Sequence, residues 1–278
     1  MKLTALIENK AGGGLTGEHG LAIHIEYNGK QYLLDTGASD LFLGNADKMG
    51  INLADIDTAF LSHGHYDHSG GFEGFFSRNG KAKVYIQNAA TDSYYVKIGP
   101  FRHYVGIPKG LLDNYDDRFV FVEGDRQIDE GVRLISHKTA GLAAIGKKAH
   151  MYRKTRKSFA ADDFEHEQSL VFEAGSGLVI LNSCCHGGID NIVKEAREAF
   201  DGKEVAAVFG GFHLMGFKGT SSMSGKPEEV KGLAKRLTAL GVKHVYTGHC
   251  TGDPAFEILK EELGERLHYF RTGATAEL

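Results

Sequence analysis

The sequence predicts an α/β fold, on three observations. From residue 178 onward, short apolar runs alternate with amphipathic stretches: Leu178–Leu181, then 190–200, then Val205–Phe209, then 227–240, then Val242–Tyr246. Three of these strands end in a glycine-flanked histidine, His186, His213 and His249. A fourth apolar run, Thr58–Leu61, leads into LSHGHYDHSGG, which places His63, His65, Asp67 and His68 within six positions. Parallel strands feeding helices place the loops at their carboxyl ends side by side, where open α/β sheets bind ligands. One site can therefore collect all of these residues.

Composition bounds the reading. The 278 residues are 42% hydrophobic and 24% charged, enough for a sizeable core in one large α/β domain or two smaller ones, with a single domain spanning 1–278 as the expectation. A net charge of −4 excludes the electrostatic footprint of a nucleic-acid or membrane binder, leaving a small-molecule substrate as the expected partner. The opening MKLTALIENKAGGG carries too short an apolar run for a signal peptide, and three cysteines, two of them adjacent, make no disulfide framework. A cytoplasmic location is the expectation.

Taken in order, Lys2–Ile7 and Leu21–Tyr27 are predicted strands on either side of a flexible Ala11–Gly14 loop. Asn28-Gly29 is a two-residue hairpin signal, so Gln31–Leu34 should return antiparallel. Asp35 follows that strand, either to cap the next helix or to orient a metal ligand from behind. A helix is expected over 39–49, stopped by Gly50. After the histidine cluster, 81–87 is a strand. Residues 88–168 then lose regularity and form an irregular insertion, with strands resuming only at 119–122 and 132–136. Its aromatics, Tyr94, Tyr95, Phe101 and Tyr104, either pack on one another as a lid or shape the substrate site. The basic run at 147–157 is either a solvated face or an edge that binds an anionic substrate. His166 falls among acidic residues and reads as surface or structural. Asp253-Pro254 should cap the last main helix.

Imidazoles and a carboxylate this close suit zinc and its first-row neighbours. His63 and His65, two apart in extended chain, point the same way; Asp67 and His68, at the turn into a helix, face a second position. SHGHYDHSGG resembles the His-x-His-x-Asp-His motif of the metallo-β-lactamase superfamily, and Leu34-Asp35-Thr36-Gly37 resembles its early Asp-Thr-Gly strand end. The segments GEHGLAIHIE, DDFEHEQSL, CCHGGIDNIV, GGFHL and GHCTG are similar to the branch of dihydropterin–ribofuranosylaminobenzene 5′-phosphate synthase-like proteins. The resemblance implies an αββα sandwich holding one or two divalent ions: zinc, with iron or manganese as alternatives. It implies that His63, His65 and His186 bind the first ion, and Asp67, His68 and His249 the second. At the strand end where the superfamily often has a bridging aspartate this chain has His213, which would bind one ion or the substrate. Cys184, Cys185 and Cys250 are either buried, inert thiols or additional ligands.

Two enzyme classes follow. One is a metal-dependent hydrolase that uses a metal-activated hydroxide on a small anionic or phosphorylated substrate, with Asp67 orienting the nucleophile and His213 stabilising charge or protonating the leaving group. The other, implied by the branch, is a transferase that condenses a pterin diphosphate with an aminobenzene ribofuranosyl phosphate. A redox sensor built on Cys184-Cys185 is a third, non-enzymatic class, disfavoured because adjacent cysteines pair poorly.

Overall fold

The computed structural model describes residues 1–278. Period-two alternation organises it into two seven-stranded sheets stacked face to face. The first runs Thr275–Glu277, Lys2–Ile7, Ala22–Tyr27, Lys30–Leu34, Thr58–Phe60, Lys83–Gln87, Phe119–Val122. The second runs Leu267–Tyr269, His244–Thr247, Val205–Phe209, Gly177–Leu181, Gln168–Ala174, Val132–Ser136, Arg126–Asp129. Ile23, Ile25, Leu34 and Phe60 of the first sheet meet Phe172, Val179, Leu181 and Phe209 of the second in one buried cluster. The alternate residues face outward. Ala22, Leu33 and Ala59 pack under the helices Leu41–Lys48 and Phe72–Arg78. Leu178, Ile180 and Val208 pack under Ile189–Ala199, Pro227–Ala239 and Asp253–Leu263. The layers are helix, sheet, sheet, helix, which is the αββα sandwich expected. No helix is long and apolar enough to cross a membrane.

Local signals explain the elements that carry the site. Asn28 and Gly29 both take positive φ, 49° and 76°, as a type I′ hairpin turn requires, and Lys30–Leu34 pairs antiparallel with Ala22–Tyr27. Lys30–Leu34, Thr58–Phe60 and Lys83–Gln87 then run parallel, as do Gly177–Leu181, Val205–Phe209 and His244–Thr247 in the other sheet. Their carboxyl ends lie along one edge of the sandwich. Pro227 opens its helix with Glu228 and Glu229 in the first turn, and Glu229 Oε2 accepts the Lys226 N–H at 3.1 Å.

Two expectations are corrected. Residues 88–168 are not irregular: beside the expected strands Phe119–Val122 and Val132–Ser136, they supply Arg126–Asp129 to the second sheet and a further four-stranded antiparallel sheet. That small sheet orders Phe159–Ala161, Met151–Lys154, Tyr94–Ile98 and Phe101–Tyr104. Its strands are three to five residues long with little of their length buried, so alternation leaves only a faint pattern. Asp253 does not cap the last helix: Gly252 occupies that position, and Asp253 pairs with Lys10 Nζ at 2.7 Å instead.

Candidate active site

The loop after Thr58–Phe60 delivers the first half of the site. Leu61 is buried in the core, and His63 follows with no exposed surface. His65 precedes a single helical turn, Tyr66–Ser69, that carries Asp67 and His68 inward. Gly70 lets this turn press on the neighbouring loop, since a Cβ there would lie 2.0 Å from the Ala38 carbonyl oxygen. The other sheet delivers His186, His213 and His249 from the loops after three parallel strands.

Four of the inward imidazoles are held from behind. His68 Nδ1 lies 2.8 Å from Asp35 Oδ2, and the same carboxylate accepts from Ser62 Oγ at 2.7 Å and Ser183 Oγ at 2.5 Å. His63 Nδ1 is 2.8 Å from Ser62 Oγ. His186 Nδ1 is 2.7 Å from Glu167 Oε1, and His249 Nδ1 is 3.0 Å from Asn9 Oδ1. A proton placed on Nδ1 by these acceptors directs Nε2 of each ring into the site, the orientation metal-binding histidines require. Asp35 is therefore the orienting group for His68 and caps no helix.

The donors converge in two places. His63, His65 and His186 have donor atoms mutually within 4.8 Å. Nε2 of His63 and of His65 are buried without any hydrogen-bond partner, an arrangement a divalent cation fits. Beside them, Asp67 Oδ2 lies 3.4 Å from His68 Nε2 and 3.5 Å from His249 Nε2. Burial and the neighbouring imidazoles hold His63 and His65 well below the ordinary histidine value, so both stay neutral. Burial opposes charge on Asp67, but His68, His249 and His19 outweigh it and keep that carboxyl ionised. Burial likewise opposes charge on His68, which Asp67 and Asp35 nevertheless push up to about 10.

Strain gathers at the same edge. Of eight non-glycine residues with positive φ, four are Asp35, Cys185, His213 and His249. Each such conformation costs about 1–3 kcal/mol, which the packed sheets on either side hold in place.

His213 is not part of either donor group. Its ring stands 4.5 Å from that of His186, and its backbone N–H donates to Cys250 Sγ at 3.3 Å. The tight turn at Gly210, where a Cβ would fall 1.8 Å from the Asn182 carbonyl oxygen, sets the chain on this course. His166 is buried and accepts the Gly64 N–H at 3.0 Å, while its Nε2 pairs with Asp162 at 3.1 Å; it is structural and off the surface.

A cavity of about 440 Å³ opens over the donors, lined by His65, Asp67, His186, His213, His249 and Cys184 and by the apolar Val96, Ile98, Val105, Met151, Met215 and Phe217. The aromatics that line it are Tyr66 and Phe217. Tyr94, Tyr95, Phe101 and Tyr104 do not; Tyr94 is buried against His166 and Tyr95 packs on Tyr104 and Phe159. Of the basic run only Lys148 reaches the cavity, because Arg153 is tied to Asp163 and Glu165 at 3.3 Å each.

Sequence reasoning missed Glu8, Asn9, His19, Glu167, His137 and Glu195. His19 Nε2 lies 3.3 Å from Asp67 Oδ2, and its ring stacks on His249 at 4.9 Å. Glu167 Oε2 continues to His137 Nε2 at 2.5 Å, whose Nδ1 meets Glu195 at 3.0 Å. Glu167 is one of several acidic residues around His166 and does not stand out among them; a neighbour's role behind a ligand leaves no spacing to detect.

The family model of the metallo-beta-lactamase superfamily matches residues 15–146. The chain is 30% identical to Tm1679, described as a metal-dependent hydrolase of the beta-lactamase superfamily; the match covers 100% of this chain and 99% of that one, with a TM-score of 0.83. It is 29% identical to the 7,8-dihydropterin-6-methyl-4-(beta-D-ribofuranosyl)-aminobenzene-5′-phosphate synthase of Methanocaldococcus jannaschii, over 96% of this chain and 94% of that protein. A diphosphatase of the PhnP family shares the fold at 16% identity, covering 100% of this chain and 97% of the other, with a TM-score of 0.57.

Proposed function

The chain belongs to the metallo-β-lactamase superfamily, and from that premise we propose that it is a metal-dependent hydrolase of a small anionic substrate. The observation that carries this reading is the pair of buried, partnerless Nε2 atoms of His63 and His65 beside His186, at the edge of an open cavity. His63, His65 and His186 would hold one divalent ion; Asp67, His68 and His249 would hold a second. Zinc is the first candidate, since three or four nitrogen and carboxylate donors suit it. A divalent ion supplies Lewis acidity to a substrate oxygen and lowers the pKa of water from about 15.7 to about 7.

The chain's own groups do the rest. Asp67, ionised and facing the cavity, orients the attacking water. His213 lines the same cavity and, although burial opposes it, is raised above the ordinary histidine value by Cys250; it donates a proton to the leaving group. Glu167 and Asn9 hold His186 and His249 in register. Lys148, mostly exposed on the rim, attracts an anionic substrate.

A second reading, condensation of a pterin diphosphate onto an aminobenzene ribofuranosyl phosphate, draws support from the apolar lining. Val96, Ile98, Met151 and Phe217 suit a flat ring better than a small hydrophilic ester. The similarity to the Methanocaldococcus jannaschii synthase points the same way.

Metal analysis of the purified protein, followed by turnover of phosphoesters, lactones and pterin diphosphates in isotopically labelled water, tests both. Oxygen from water in the product supports hydrolysis; a condensed product without it supports transfer. His65→Ala should lose bound metal and turnover together, and a variant that keeps both would overturn the site.

A further inference from the structure

We propose that Cys184 is a metal ligand, a thiolate that completes the donor set Asp67, His68, His249 and Cys184. The inference rests on the metal-dependent reading above and adds to it a sulfur donor that none of the relatives' descriptions mention.

Four donor separations match those of ligands around one small ion. Donors bound tetrahedrally at about 2.0–2.3 Å from zinc lie roughly 3.3–3.6 Å from each other. Cys184 Sγ is 3.3 Å from His68 Nε2 and 3.4 Å from His249 Nε2. Asp67 Oδ2 is 3.4 Å and 3.5 Å from the same two nitrogens. Cys184 is also the donor that groups with His63 and His68 on one side and with His249 and Cys250 on the other, whereas His213 belongs to no such group.

The orientation of the two rings suits an ion. Nδ1 of His68 is committed to Asp35 and Nδ1 of His249 to Asn9, which turns both Nε2 atoms toward Cys184. On binding, the Cys184 proton leaves to solvent and sulfur donates an electron pair to the metal.

The backbone separates this thiol from its neighbours. Asn182 Oδ1 accepts the Cys185 N–H at 2.8 Å, and the positive φ of Cys185 turns its side chain away, where Sγ donates to the Asn182 carbonyl at 3.2 Å. Cys250 Sγ accepts the His213 N–H and contacts the Cys184 carbonyl at 3.7 Å. Of the three thiols, only Cys184 lies within hydrogen-bond distance of both imidazoles.

The test is X-ray absorption on the zinc-loaded protein, with absorption spectra of the cobalt(II)-substituted form. A sulfur scatterer at about 2.3 Å and a near-ultraviolet thiolate-to-cobalt band are expected. The band should vanish in Cys184→Ser and survive in Cys250→Ser. The zinc measurement needs no variant, so a folding defect in Cys184→Ser cannot mask the answer. Bound zinc with only nitrogen and oxygen neighbours overturns the thiolate ligand and leaves the metal-dependent reading intact, as does a band that persists in Cys184→Ser. A wild-type protein that takes up no divalent ion overturns both.

Discussion

Asp35 Oδ2 and His68 Nδ1 face each other at 2.8 Å, and neither side chain has any exposed surface. The carboxylate accepts three further hydrogen bonds, from Ser62 backbone and hydroxyl and from Ser183. It ties the early strand end, the histidine loop and the second sheet to one point.

Removing one member of a buried charged pair costs about 3–5 kcal/mol. Asp35→Ala should therefore lose stability of that size in denaturant unfolding. Loss of the orienting acceptor should also weaken metal binding 10- to 100-fold or so, read by metal titration. Asp35→Asn, which keeps the shape, should fall between the two.

His137 titrates between two acids. Burial opposes its charge, but Glu167 and Glu195 raise it to about 10. A raised histidine contributes stability that is complete below its ordinary value of about 6.5 and is lost as pH climbs through the folded value. The thermal midpoint should decline from about pH 6.5 to 10, and His137→Gln should flatten that slope. An unchanged slope would remove His137 as its cause.

Gly70→Ala tests the tight approach under the histidine turn. The added Cβ meets backbone atoms of Ala38, 2.0 Å from its oxygen and 2.4 Å from its carbon, with no flexible side chain to yield. Overpacking of this kind costs about 1–3 kcal/mol or more. Gly80→Ala, with nothing within 4 Å, is the control and should leave the unfolding midpoint unchanged.

Lys148→Ala should raise KM for anionic substrates with little change in kcat, because the residue sits on the rim and touches no donor. An exposed ion pair is worth about 0.2–1 kcal/mol, so the rise should stay below about fivefold and shrink in high salt. Equal effects on neutral substrates would deny it an electrostatic role.

Chelation should destabilise the protein without unfolding it. An ion present at about 1,000 times its Kd adds roughly 4.1 kcal/mol to the folded state, and its removal should lower the calorimetric midpoint accordingly. Readdition of zinc should restore the midpoint.

Strand alternation and parallel strand ends made the sandwich legible, because each main strand buries one face against the other sheet and one against helices. His63, His65, Asp67 and His68 were legible because their spacing is local. His186 and His249 were legible as strand-end histidines. The acceptors behind them were not: Asn9 reaches His249 across 240 residues, and no periodicity records such a pairing. The role expected of His213 depended on how a two-glycine turn bends, which spacing alone does not fix. Tyr94 and Tyr95 suggested a stacking surface by composition, yet the strand they form turns them toward His166 and Phe159.

Glu8 and Asn9, just past the opening strand, secure the backbone and ring of His249 near the far end of the chain. A growing polypeptide thus exposes the histidine loop long before it owns the residues that close round an ion. With synthesis at about 5–20 residues per second, that interval lasts on the order of ten seconds or more. On the metal-dependent reading proposed above, metal capture is consequently a late event in the life of the molecule, and occupancy of the site would record that the chain has reached its native state.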